Sequence, residues 1–218
     1  MAPDLEYFLA MNDQSVYGHT LAGIFYFDVP LTLLTAYLFH RFIKVNLINS
    51  LPYFAQRRFY ELKQFQFEEY IRKHWFVFLA SAVIGSASHL LWDAFTHPRT
   101  IIVNSFSIYE TVVPFRGVRY PLYYFLQYVS SYTGLFILLL YFFLMKPNPK
   151  AELVRPHLLY WVCVTGLTCT IVFLRFYLTN EPINLVLGVI SSMTGFGVAL
   201  FIAGLLPLSH YPVIKVNN

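Results

Sequence analysis

Charge is scarce in this sequence. Asp, Glu, Lys and Arg make up 12% of its 218 residues, about half the usual quarter of soluble domains. So little charge cannot solvate a whole surface, which excludes an ordinary water-soluble domain. Cysteine is nearly missing too. Cys163 and Cys169 sit six apart in one apolar stretch and do not face each other well on a helix, so neither a disulfide nor a cysteine metal site is expected. No Lys or Arg precedes Arg41 and no cleavage pattern follows the N-terminus, so no classical signal peptide is expected. No internal repeat or low-complexity tract appears. The net charge is +4 and the basic residues fall in connecting segments, where a membrane protein carries them. Nucleic acid is not expected as a partner.

What is abundant is apolar surface: 57% of the residues, with 19% aromatic. The apolar runs are long and continuous rather than alternating, which predicts helices and not a β-barrel. The expected fold is all-α and polytopic, one membrane domain over residues 1–218. Five spans are read at 20–39, 75–96, 122–145, 157–178 and 184–206, with an amphipathic surface loop at 40–74. Residues 1–18 read as an interfacial or partly re-entrant piece. Pro30 should kink or break the first span, and Asp28 beside it should face protein or water rather than lipid.

Loop charge predicts orientation. With the N-terminus outside, eleven Lys and Arg fall on the inner side and three on the outer, which favours N-out and C-in. In that topology Asp4, Glu6, His19, Asp28, His89, Asp93, His97, Gln127, Ser130, Arg175 and Glu181 all gather toward the outer side. The count used only Lys and Arg, so this gathering is partly independent evidence for an outward-facing polar site.

The sharpest motif closes the second span. His89, Asp93 and His97 are spaced by four, which stacks them on one helix face. Pro98 should end the helix near His97, leaving that ring to fold back toward the pair or to face water. An aspartate at a span's centre costs about 2.5–3.5 kcal/mol, less near an end, so it is kept where it pairs with something. Two readings stand: a divalent metal site completed from elsewhere in the chain, or an interhelical polar cluster without metal. Asp4 and Glu6, with His19, would complete a ligand shell if the Pro3-Asp-Leu-Glu6 segment is extended; otherwise they belong to a solvated tail. Asp28 reads as a substrate or proton-path group or as a packing residue beside Pro30. Arg175 reads as an anion holder or as an interfacial arginine. Arg116 and Arg119 read as ordinary loop charges.

These residues carry a resemblance. Pro3-Asp-Leu-Glu-Tyr-Phe8, Gly18-His-Thr20, Phe27-Asp-Val-Pro30, Leu38-Phe-His40 and above all Ser88-His-Leu-Leu-Trp-Asp-Ala-Phe-Thr-His97 resemble a bacterial family of integral membrane proteins of unknown function. Pro121-Leu-Tyr-Tyr124, Gln127, Ser130, Ser131 and Gly134 fit it as well. The likeness covers the first two-thirds of the chain, and the last two spans by hydropathy alone. That family is distantly similar to membrane-bound metal-dependent hydrolases and, by analogy, to zinc-dependent phospholipase C and P1-type nucleases. The resemblance implies Asp4, His19, His89, Asp93 and His97 as ligands. Relatives open on a His-Pro pair ahead of this segment. Here the chain starts at Met1-Ala-Pro-Asp4, so either the start is truncated or that histidine is absent and the set is one ligand short.

The expected function is therefore a metal-dependent hydrolase, with zinc as the expected ion, acting on a phosphoester or lipid-like substrate. Asp4 and Asp93 would be the catalytic carboxylates, and Arg175 and Asp28 would meet the substrate. Membrane lipid is the expected partner and a bacterial inner membrane the expected location. The alternative is a non-catalytic scaffold or small transporter built around a structural His/Asp cluster.

Overall fold

A computed structural model describes residues 2–98, 100–115, 117–182 and 184–206, and the backbone of 213–214. Arg116 and the tail residue His210 lie outside the described residues. The helices in chain order are α1 (Leu5–Ala10), α2 (Val29–Leu38), α3 (Lys44–Asn49), α4 (Tyr53–Arg58), α5 (Tyr60–Gln64), α6 (Phe67–Thr96), α7 (Ile101–Ser105), α8 (Leu122–Leu144), α9 (Leu158–Thr179) and α10 (Leu185–Leu205). Two π-helical turns, Ile24–Asp28 and Phe39–Ile43, flank α2. The strands are short: β1 (Val112–Phe115) pairs antiparallel with β2 (Val118–Pro121), and β3 (Leu153–Val154) with β4 (Val213–Ile214).

Among the described residues, five helical stretches are long and apolar enough to cross a membrane: Ile24–Asn49, Phe67–Ser105, Leu122–Leu144, Leu158–Thr179 and Leu185–Leu205. The fold is all-α and polytopic. Large apolar side chains such as Phe136, Leu138, Phe173 and Leu185 are exposed along these helices, a surface that suits lipid and not water.

The last three helices begin and end within a residue of the expected spans. The first two differ. Pro30 does not break its span, because Val29 N–H reaches back to Ile24 O, a π-type bond. This widened turn lies where the ring of Pro30 would otherwise meet the carbonyl four residues back. The chain then stays helical to Asn49, ten residues beyond the expected end. The second span starts at Phe67, inside the expected surface loop, and bends at His74, where φ is −131° and ψ 32°.

The chain divides into two compact units. The first comprises Met1–Val83 and Lys146–Asn218. Its core packs Tyr160 and Val164 of α9 against Ala199 and Ala203 of α10, with Leu47, Trp161, Leu167 and Leu200 around them. Small residues let the backbones approach: a Cβ on Gly195 would stand 3.2 Å from Thr168 O. Asn46 Nδ2 donates to Gly204 O (2.8 Å), holding the end of α10. Thr194 donates from α10 to Phe8 O (2.7 Å), tying down α1. Buried Gln56 shares the two hydrogens of Nε2 among Asn49 O (3.1 Å), Leu51 O (2.7 Å) and Val154 O (2.7 Å), and its Oε1 accepts from Val154 N–H (2.9 Å).

The second unit is Ile84–Met145. It holds the last part of α6, α7, the β1–β2 hairpin and α8. The hairpin replaces part of the loop expected at 97–121. Gly117 turns it with φ +81°, a conformation that favours glycine. Trp92 Nε1 donates to Ser130 Oγ (3.2 Å), linking α6 to α8.

Candidate metal centre

In the first unit the site begins with a loop folded around a carboxylate. Glu6 lies in the first turn of α1 and is buried. Its oxygens accept from Ser15 Oγ–H (2.7 Å), Val16 N–H (2.7 Å), Tyr17 N–H (3.0 and 3.1 Å) and Gly18 N–H (2.7 Å). Burial on its own would raise the Glu6 pKa. The donors from Gly18, Ser15, Val16 and Tyr17 outweigh it and lower the pKa from 4.5 to about 2, so the group is an anion.

That anion fixes the next residue. Ser15 has one hydroxyl proton and gives it to Glu6. Its oxygen also lies 2.8 Å from His19 Nδ1, so it must accept an N–H from that nitrogen. The neutral imidazole then carries its lone pair on Nε2, which faces Asp4 Oδ1 at 3.6 Å. Asp4 occupies the N-cap position of α1 yet makes no capping bond. Tyr7 packs its ring 5.1 Å from that of His19. A ring nitrogen and a carboxylate oxygen are thus held face to face, an arrangement that either a proton or a metal cation between them stabilises.

In the second unit α6 presents the predicted row. Asp93 Oδ2 lies 3.2 Å from His89 Nε2, and Asp93 Oδ1 lies 3.5 Å from His97 Nδ1. Each carboxylate oxygen therefore orients one imidazole. A His89 Nε2–H pointing at Asp93 places that ring's lone pair on Nδ1. The helix ends at Thr96, but His97 N–H still reaches Asp93 O (3.0 Å), so the ring both folds back toward Asp93 and stands half in solvent. Thr100 Oγ1 donates to Ala94 O (2.7 Å), fastening the chain just beyond.

The remaining expected residues are placed as follows. Asp4 and Glu6 do not share a side, because α1 starts between them; Glu6 is a loop anchor. Asp28 is fully buried, and Gly18 passes so close that a Cβ there would stand 3.3 Å from Asp28 Oδ1. Arg175 donates to Glu181 (2.8 Å), Thr179 (2.7 Å) and Met11 O (2.9 Å), joining α9 to the end of α1. Ser15 was not foreseen; a serine in a polar tail gives no signal of its own, and only the fold puts it between Glu6 and His19.

The fold and these pairs define a polytopic, all-α membrane protein that carries oriented histidines beside carboxylates. Over residues 1–208 the chain matches a domain of unknown function, DUF4184, and it belongs to that family. No curated protein and no solved structure matches it.

Proposed function

We propose that this protein is a metal-dependent hydrolase of a phosphoester or lipid-like substrate. Asp4 and His19 of the first unit are half-buried, and each offers one ligand atom. In this reading they bind a divalent cation, zinc before others from the mixture of imidazole and carboxylate donors. The other expected ligands, His89, Asp93 and His97, form a row of their own on α6, where Asp93 holds His89 in its ligating tautomer. The observation that carries the reading is His19, whose Nδ1–H is committed to Ser15 while Nε2 faces Asp4 Oδ1 at 3.6 Å.

When bound, such an ion polarises the scissile group and acidifies a water. The chain's own residues then have separate tasks. Asp4 and Asp93 are the carboxylates suited to accept a proton. Arg175 ties α9 to Met11, and Asp28 lies buried beside Gly18; in this reading both stand near the substrate. The excess of Lys and Arg on one side supports a bacterial inner-membrane protein with its N-terminus, and so the site, outside.

A second reading has one observation in its favour. A proton on His19 Nε2 would also satisfy the contact with Asp4, making a structural ion pair in a scaffold or small transporter. Elemental analysis of the detergent-purified protein separates the two. The hydrolase reading expects near-stoichiometric zinc, lost in His19→Ala with thermal unfolding still cooperative. It also expects Asp93→Asn to abolish phosphoesterase activity while the fold survives. Well-folded wild type that takes up no metal when zinc is added back would sink it in favour of the ion pair.

A further inference from the structure

The first unit contains a cavity of about 410 Å³ that the metal chemistry does not use. It is bounded by α1, α2 and α10. Leu5, Phe8 and Leu9 line it, the i, i+3 and i+4 positions of one face of α1; Glu6 points elsewhere, into its loop. Leu31, Thr35 and Leu38 form the second wall. The π turns on either side of α2 set the rotation of this stretch relative to the rest of the span, and such turns often mark functional sites. Gly197 opens the third wall on α10.

The lining has almost no hydrogen-bonding capacity left. Thr35 gives its hydroxyl proton to Leu31 O (2.8 Å) and Thr194 to Phe8 O (2.7 Å). An occupant must therefore be apolar. It must also be elongated, because the lining on α10 runs from Met193 to Phe201, about 12 Å at 1.5 Å per residue. The space is a groove open at its rim, where Leu9 and Met193 stand exposed, and a large exposed apolar surface of this kind marks a binding site. The walls belong to two candidate membrane spans, where acyl chains are the solvent. At its end on α1, the lining residue Leu5 is bonded directly to Asp4.

We propose that this cavity seats one acyl chain of a phospholipid whose headgroup phosphoester lies at the Asp4–His19 pair. The substrate class is then a membrane phospholipid and not a soluble phosphoester. The headgroup part rests on the hydrolase reading; the seat for the chain does not.

Gly197 supplies the test, because a Cβ there meets nothing within 4 Å and a large side chain can fill the cavity without moving backbone. Gly188, on the same helix but not in this lining, is equally open and serves as the control. Wild type, Gly197→Phe and Gly188→Phe would be reconstituted in vesicles of phosphatidylethanolamine and phosphatidylglycerol and re-extracted. Retained phospholipid would be counted by native mass spectrometry, and zinc measured on the same samples. The expected result is a retained phospholipid in wild type and in Gly188→Phe, and roughly tenfold less in Gly197→Phe, where the ring occupies part of the seat. Gly197→Phe should keep its zinc. Equal retention in all three, equal loss in both variants, or a folded wild type that retains none would overturn the proposal. Wild type that retains lipid but no metal would overturn the hydrolase reading and leave the seat standing.

Discussion

Ser15 Oγ stands 2.8 Å from His19 Nδ1 and 2.7 Å from the Glu6 carboxylate, so a buried anion sets the tautomer of a histidine through one hydroxyl. This relay makes Ser15 a positioning residue. Outer partners of ligating histidines are worth about 10–100-fold in metal affinity. Ser15→Ala should therefore weaken zinc binding by that factor, read by competition with a chromophoric chelator. Ser15→Thr, which keeps the hydroxyl, should restore most of it. Equal affinity in wild type and Ser15→Ala would break the link between the relay and the metal.

Glu6 should govern acid stability. Its folded pKa, about 2, lies below the ordinary 4.5. A depressed carboxylate stabilises the fold above the unfolded value, and the contribution disappears as pH falls through the folded one. Thermal midpoints in detergent should thus fall between about pH 4.5 and pH 2 in wild type. Glu6→Gln should lower stability at neutral pH by about 1.5–3 kcal/mol, the usual worth of hydrogen bonds to a charged group, and should flatten that acid slope. A slope unchanged by the substitution would assign the acid sensitivity to other carboxylates.

The parts of this molecule that follow from local rules were legible in its sequence. Long apolar runs located α8, α9 and α10, and a spacing of four put His89 beside Asp93. What escaped depends on packing or on a small change of helical pitch. Pro30 reads as a break only if the preceding turn is α-helical, and the π turn at Ile24–Asp28 removes that condition. Asp4 and Glu6 read as neighbours only in an extended chain, whereas α1 begins at Leu5. Ser15 acquires its role from contacts nine residues back to Glu6 and four forward to His19, and no periodicity announces such a contact.

Gly18 should tolerate nothing larger than hydrogen. A Cβ there would lie 2.7 Å from Pro3 O and 3.2 Å from Pro3 Cα. Both are backbone atoms next to Asp4, so the strain cannot be relieved by rotating a side chain. Gly18→Ala should cost about 1–3 kcal/mol, as overpacking does. It should also displace the Asp4 segment, so that zinc is lost and proteolysis near the N-terminus quickens even at temperatures where the rest stays folded. An alanine variant with wild-type metal content and melting would show that Pro3 can move aside without consequence.

Gln56 tests how the first unit is held together far from the metal chemistry. Its side chain is buried and meets Asn49 O, Leu51 O and both backbone polar groups of Val154, joining segments 98 residues apart. Gln56→Leu keeps the volume but leaves the Val154 N–H and three carbonyls without this partner. A buried group left unsatisfied costs about 1–3 kcal/mol, so the variant should be destabilised by at least about that much. Gln64→Leu, at an exposed position two turns on, should change stability by less than about 0.5 kcal/mol. Hydrogen exchange should localise the loss in Gln56→Leu to residues 49–56 and 153–154, and leave protection of the second unit unchanged. Uniform loss of protection across both units would mean that the two unfold as one cooperative block and that Gln56 reports on the whole chain.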